Sequence, residues 1–298
     1  MANSKRWLNL LKLAAKILFS TAFLLLVLRK IHVRDVVDQF QKTNLGWIFI
    51  ALIFFVISKW ISAIRLNHFF RNTGLHISES ENTRLYWLGM YFNMFLPGGI
   101  GGDGYKIYIL NRKFEIAVKK LFWAVFLDRV SGMVALVLLA GVLSLTIFTA
   151  PVVWVTVIVG IAIAGFVYVW AYRRYFPTFL PSFYITNWEG LAVQFIQLVC
   201  AFCIIRAIGV EAHYKEYLLV FLVSSVVAIF PFTIGGLGAR EITFLYGSQY
   251  FGLDQQVAVT ISLWFYLITL VVSLVGLIFV FSSPFKADPN KLAQHEIP

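Results

Sequence analysis

The chain has 298 residues, 60% of them hydrophobic and only 13% charged, and its mean hydropathy is +0.82. A soluble domain of this length needs far more charge to cover its surface, so the composition implies a polytopic membrane protein with no separate soluble domain. The net charge of +11 sits in short clusters between apolar runs. Such clusters read as topology determinants and partners for anionic lipid headgroups, and no nucleic-acid partner is expected.

Six stretches, 12–28, 46–65, 120–149, 152–171, 188–208 and 255–281, are long enough to cross about 30 Å of hydrocarbon as helices. Lys5-Arg6 before the first imitates a signal peptide, but no small-residue cleavage site follows, so a retained span is expected. Loops holding Lys5, Arg6 and Lys12, Arg65 and Arg71, Arg173 and Arg174, and Lys286 and Lys291 belong on the cytoplasmic side, which places both termini there. The 29–45 loop disagrees: Arg29, Lys30, Arg34 and Lys42 would lie outside, partly offset by Asp35 and Asp38. The expected location is the cytoplasmic (inner) membrane of a bacterium or archaeon.

Two shorter apolar stretches are broken by proline and glycine. One runs from about Arg84 to Leu96 and ends at Pro97-Gly98-Gly99-Ile100-Gly101-Gly102-Asp103-Gly104. The other runs from about Tyr217 to Phe230 and ends at Pro231-Phe232-Thr233-Ile234-Gly235-Gly236-Leu237-Gly238. Segments this short predict re-entrant hairpins entering from opposite sides. The halves also repeat: Arg65 and Arg206, Trp123 and Trp264, and Ala117-Val118 and Ala258-Val259 share one offset of 141. Ile100 and Ile234 differ by 134, so the repeat needs loop-length changes. The expected architecture is a single all-α transmembrane domain over 1–298. It comprises a first span and external loop (1–45), a first repeat (46–149), a connecting span and loop (150–187), a second, inverted repeat (188–281) and a cytoplasmic tail (282–298). Inverted repeats with broken helices are a transporter arrangement, with the site where the breaks meet.

Irregular backbone at membrane depth must face protein, water or ligand, and glycine lets it approach a ligand closely. Helices restarting near Asp103 and Ala239 would aim amino-terminal amides at an anion. The alternative is that the glycines only permit tight packing. Intramembrane charge marks the same region: Asp103 and Lys106 flank the first break, Asp128-Arg129 lie inside a span, and Arg240-Glu241 follow the second break. They form either structural ion pairs or a headgroup-sized polar cavity. In the second case Arg129 is expected on a phosphate and Asp128 on Arg240 or a cationic headgroup. The candidate substrate-binding set is therefore Asn93, Pro97, Gly98, Gly99, Gly101, Gly102, Asp103, Lys106, Asp128, Arg129, Gly235, Gly236, Gly238, Arg240 and Glu241.

Other polar residues read as structural. Lys59, Arg65, Arg84 and Arg206 are expected to snorkel from span ends, and Glu189 to sit in a first turn. Trp7, Trp47, Trp60, Trp87, Trp154 and Trp188 are expected as interface anchors. The five histidines are expected outside the spans, and Cys200 and Cys203, inside an apolar helix, make neither a disulfide nor a zinc site. No metal, cofactor or catalytic residue is expected, since no nucleophile elbow, P-loop or aqueous Asp-x-Asp occurs.

Asn93-Met94-Phe95-Leu96-Pro97-Gly98-Gly99-Ile100-Gly101-Gly102-Asp103, then Asp128-Arg129, then Pro231 through Glu241 resemble the lysylphosphatidylglycerol synthase transmembrane (flippase-like) family over nearly the whole chain. In fused members of that family this module is implicated in moving an aminoacylated phospholipid to the outer leaflet, and a soluble synthase domain follows it. This chain ends soon after its last span, so the resemblance carries over lipid handling without aminoacyl transfer. The expectation is a translocase for an anionic or aminoacylated phospholipid or a polyprenyl-phosphate lipid. The alternatives are a membrane-embedded glycosyl- or group-transferase acting on a lipid phosphate, with Asp103 or Asp128 as base, and a secondary transporter of a small anion. Expected partners are membrane phospholipids or polyprenyl-linked lipids and a separate lipid-modifying enzyme; the residues set no oligomeric state, a dimer included.

Overall fold

The computed structural model describes residues 33–95, 100–229, 237–282 and 284–285, and among these all regular structure is helical. Helix α1 (Val33–Lys42) leads into α2 (Leu45–Arg71), whose first turn is capped by Asn44, the side chain accepting the N–H groups of Gly46 and Trp47. Helices α3 (Glu79–Phe95) and α4 (Gly101–Phe114) follow, then the long α5 (Val118–Leu145). Helix α6 (Pro151–Tyr175) opens on proline, where the missing N–H is no loss. A 3-10 turn (Pro177–Ser182) enters α7 (Phe183–Ala207), followed by α8 (Tyr214–Val227) and α9 (Ala239–Phe251). Helix α10 (Gln255–Leu274) is capped by Asp254, which accepts the Val257 N–H at 2.9 Å, and continues through a 3-10 turn into the short α11 (Ile278–Phe281).

Five segments are long and apolar enough to cross a membrane: Leu45–Asn72, Val118–Leu145, Pro151–Tyr175, Pro177–Ala207 and Gln255–Phe281. They coincide with five of the six expected spans; the stretch 12–28 lies outside the described residues. Several boundaries differ by a few residues from expectation, and two of these differences matter. The first of these helices runs on to Arg71 instead of stopping near 65, and α7 starts at Phe183, five residues before the expected 188. Arg65 and His68 are therefore inside α2, and Glu189 is well past the first turn of α7. The disputed 29–45 loop contains α1, which lies on α10 with the Phe40 ring stacked on Trp264 at 4.8 Å.

Helices α2 and α7 form the centre of the bundle. The Asn44 N–H at the start of α2 donates to the Ala207 carbonyl at the end of α7 (2.8 Å), and Asn72 past the end of α2 donates to Ser182 before α7. The two helices therefore run antiparallel along their whole length. Small and apolar residues fill the seam, with Ala51 and Phe55 against Cys200, Ala201, Ile204 and Ile205, and both thiols are free and buried there. Each central helix is followed by two short helices and a long one: α3, α4 and α5 after α2, and α8, α9 and α10 after α7. The short helices of each half pack on each other, α5 packs against α8, and α3 against α10. The two halves thus share one order of elements, laid on antiparallel leading helices.

Close approach within each pair depends on glycine. A Cβ on Gly102 would lie 1.9 Å from the Gly89 carbonyl oxygen, and one on Gly247 would lie 2.7 Å from a Val220 methyl. Helix α6 stands apart, with Val152, Ile158, Phe166 and Val167 all at least half exposed, the surface a helix presents to lipid.

Gly102→Ala should cost roughly 1–3 kcal/mol of stability through overpacking against backbone that cannot give way. Gly104→Ala, where nothing lies within 4 Å, should be neutral or stabilising. Melting of the purified variants in detergent checks both, and equal melting points would refute the close-packing account.

Candidate functional site

A polar cavity of about 250 Å³ lies at the heart of the bundle. Its walls come from seven helices. Lys59, Ser62 and Arg65 come from α2, Tyr86, Met90 and Asn93 from α3, and Asp103 and Lys106 from α4. Asp128, Arg129, Gly132, Met133 and Leu136 come from α5, and Val193, Gln194 and Gln197 from α7. Ser225 of α8, Ile229 just beyond it and Arg240 of α9 close the far side. Lys59, Ser131 beside the cavity, and Gln194 each lie near the middle of their helices, so the site sits at mid-depth of the spans.

Charge inside it is ordered around two carboxylates. Asp103 bridges two cations, taking Lys106 Nζ on Oδ1 at 2.7 Å and Arg129 Nε on Oδ2 at 2.5 Å. Asp128 Oδ1 accepts from Arg65 Nε at 2.7 Å. Both carboxylates are buried, so these contacts are charge-assisted bonds with little water to compete. Gly132 and Gly190 make room for the Arg65 guanidinium, since a Cβ on either would come within 3.4 Å of its Nη1. Asn93 Oδ1 accepts the Gly102 N–H at 2.9 Å and ties the end of α3 to the start of α4.

These partners differ from those expected. Asp128 pairs with Arg65 and not with Arg240, and Arg129 is held by Asp103 before any phosphate arrives. Neither outcome is surprising physically, because each carboxylate takes a guanidinium already within reach on an adjoining helix. Arg65 and Lys59 do not snorkel: Arg65 is 5% exposed and Lys59 lines the cavity with its Nζ 4.7 Å from the Phe55 ring centroid. His68 and Glu189, expected outside the spans and in a first turn, instead meet between α2 and α7 at 3.3 Å. Arg206 does behave as an end residue, exposed and donating to the Tyr214 hydroxyl.

Of the candidate set, Asn93, Asp103, Lys106, Asp128, Arg129 and Arg240 converge on the cavity. Gly102 is a packing residue, and Gly101 begins α4 without lining the site. Gly238, with φ +90, turns the chain into α9. Glu241 is fully buried but faces away, accepting the Gly238 N–H at 2.6 Å and the Ser262 hydroxyl at 2.9 Å. Pro97, Gly98, Gly99, Gly235 and Gly236 lie outside the described residues. The helix-start amides are also less available than expected. Those of Asp103 and Gly104 donate to the Ile100 carbonyl, that of Gly102 to Asn93, and that of Gly238 to Glu241. Sequence reasoning missed Lys59, Ser62, Arg65, Tyr86, Gln194, Gln197 and Ser225. The signal for three of them was present: Lys59, Gln194 and Gln197 are polar groups deep inside apolar runs.

Asp128→Ala should destabilise the protein by about 3–5 kcal/mol, because it strands a buried guanidinium. The double variant Arg65→Met/Asp128→Leu should recover most of that loss. Thermal unfolding in detergent of the single and double variants measures the coupling, and strictly additive losses would deny it.

The family model described as lysylphosphatidylglycerol synthase TM region matches residues 13–186 and 188–276 of the chain. No curated protein matches it.

Proposed function

The chain belongs to the lysylphosphatidylglycerol synthase transmembrane family, and from that membership we propose that it moves a lipid with an anionic headgroup between leaflets through the central cavity. The observation that carries this reading is a polar cavity at mid-span depth lined by five cationic side chains and two carboxylates. Its 250 Å³ suits a lipid headgroup, which is small beside a whole lipid.

An apolar groove of about 690 Å³ supports the reading from the other end of the molecule to be carried. It runs along α5, α6, α8 and α9, with Val137, Ala140, Val226 and Thr243 each about a turn or less from the cavity residues Met133, Leu136, Ser225 and Arg240. A headgroup in the cavity would leave its chains in that groove and in lipid. The hairpin α3–α4 is read as re-entrant, and chain parity supports this. Leu45–Asn72 and Pro177–Ala207 run antiparallel with Val118–Leu145 and Pro151–Tyr175 between them, which requires that the hairpin return to the side from which it entered. Rocking of two inverted halves about a site between them exposes it to each side in turn. A transferase would need Asp103 or Asp128 as a base, and both are held in ion pairs, which favours the translocase.

Leaflet exchange of labelled anionic, zwitterionic, aminoacylated and polyprenyl lipids in proteoliposomes tests the proposal. The wild type should exchange at least one anionic lipid faster than empty liposomes. Arg240→Ala, which removes a charge without breaking an ion pair, should slow it by about tenfold or more. No exchange of any of these lipids would sink translocation. Uptake of a soluble anion would then assign the cavity to a carrier, and turnover of a donor to a transferase.

A further inference from the structure

The cavity holds more positive charge than its own carboxylates balance. Asp103 engages Lys106 and Arg129, and Asp128 engages Arg65, which uses both lining carboxylates. Lys59 and Arg240 make no ion pair among the described residues. Each rests on aromatic faces instead: Lys59 on Phe55, and Arg240 on Phe265 with its centre 4.8 Å from the ring centroid. Arg240 adds one long hydrogen bond, 3.3 Å to the Ser225 hydroxyl. Its neighbour Glu241 would be the obvious counterion, but that carboxylate is turned to Gly238 and Ser262. The aromatic contacts hold both cations in place without neutralising them. They come from opposite halves of the repeat, one on the central helix α2 and the other just after the second break, and they face one cavity.

Two uncommitted cations across one small cavity fit an anion with more than one charge. A phosphodiester headgroup brings a single negative charge and leaves positive charge unbalanced. A terminal phosphate carries close to two at neutral pH, and a diphosphate more, with further acceptor oxygens to span both cations. An aminoacylated headgroup does the opposite, because its ammonium groups would enter a site that already has excess positive charge. Resting on the reading of the cavity as a headgroup site, we propose that it selects a terminal phosphate or diphosphate over a phosphodiester and rejects an aminoacylated headgroup. Lys59 and Arg240 are the residues that set this preference. Phosphatidic acid and polyprenyl phosphates are the lipid classes with that chemistry. The aminoacylated lipid in the family's name does not have it.

The test is binding to the full chain in phosphatidylcholine nanodiscs, with phosphatidic acid, farnesyl diphosphate, phosphatidylglycerol, lysylphosphatidylglycerol and inorganic pyrophosphate as probes. Farnesyl diphosphate and phosphatidic acid should bind about tenfold or more tighter than phosphatidylglycerol, with lysylphosphatidylglycerol weakest of the lipids. Lys59→Gln and Arg240→Gln should each erase about tenfold of that preference, weakening the binding of phosphatidic acid and farnesyl diphosphate more than that of phosphatidylglycerol. Melting temperatures confirm that the variants are folded. Lys59→Glu serves as a second probe, since it should raise affinity for lysylphosphatidylglycerol whatever happens to overall stability. Lysylphosphatidylglycerol binding as tightly as the diphosphate, or an unchanged ranking in folded variants, overturns the proposal. Inorganic pyrophosphate matching farnesyl diphosphate would keep the charge selectivity and remove the lipid as its source. The ranking is read independently of leaflet exchange: exchange with a flat ranking defeats this inference alone, and a steep ranking without exchange defeats only the translocase.

Discussion

Arg65 stands deep in an apolar helix, where a lone charge costs about 2.5–3.5 kcal/mol on insertion scales. Its Nε–H donates to Asp128 on α5, and two glycines, Gly132 on α5 and Gly190 on α7, leave room for the guanidinium between three helices. Asp103 does the same on the other wall for Lys106 and Arg129, and in doing so ties α4 to α5. These two carboxylates let the bundle keep cations at mid-depth. Without them the polar cavity would be an uncompensated cluster of like charges in a medium where such repulsion is poorly screened. The rest of the structure places the helices so that this compensation can happen. The antiparallel centre of α2 and α7 fixes one wall, and the short helices α3, α4, α8 and α9 bring polar residues to it.

The two halves share an order of elements but not a charge pattern. The first half supplies both lining carboxylates and four of the five lining cations, whereas the second supplies Arg240, two glutamines and a serine. Glu241, the one acidic residue of the second motif, is spent inside its own half on a backbone N–H and the Ser262 hydroxyl, where it fixes the first turn of α9. The likeness of the two halves is therefore one of element order. A symmetric backbone with asymmetric charge gives the site a strongly paired wall and a loosely held one. The loosely held wall, carrying Arg240, is the one whose contacts a ligand can replace at little cost.

Much of this was legible in the residues. Hydropathy located the five spans that are described, and the two shorter apolar runs located helices α3 and α8, because runs too short to span are local signals. Intramembrane charge pointed to Asp103, Lys106, Asp128, Arg129 and Arg240. Pairing was not legible, because it depends on which helices adjoin. Arg65 was assigned to a span end since the hydropathic run fades there, yet the helix continues to Arg71 and carries Arg65 inward. Glu241 looked like a site residue because it follows the break directly, but the turn at Gly238, with φ +90, aims its side chain back at the cap. Part of the expected amide cradle is already engaged for a related reason: amides at a helix start bond the nearest oxygen, here that of Asn93 or the Ile100 carbonyl.

Under the proposed translocation, the residual positive charge also bears on how a cycle would turn over. A cavity fully neutralised by its own side chains would have no reason to admit a charged headgroup, and one with many free cations would hold it too long to release. Here three cations are already bonded to carboxylates, and two are held by ring faces whose attraction is worth about 0.5–2 kcal/mol each. A headgroup entering the site displaces weak contacts at Lys59 and Arg240 while the strong pairs stay made. Binding then draws on two cations and leaves the framework intact, so its strength is bounded. Because the two cations belong to opposite halves, an anion bridging them would also draw those halves together. Its departure would let them separate, and under that proposal occupancy of the site would be coupled to the relative position of the two halves.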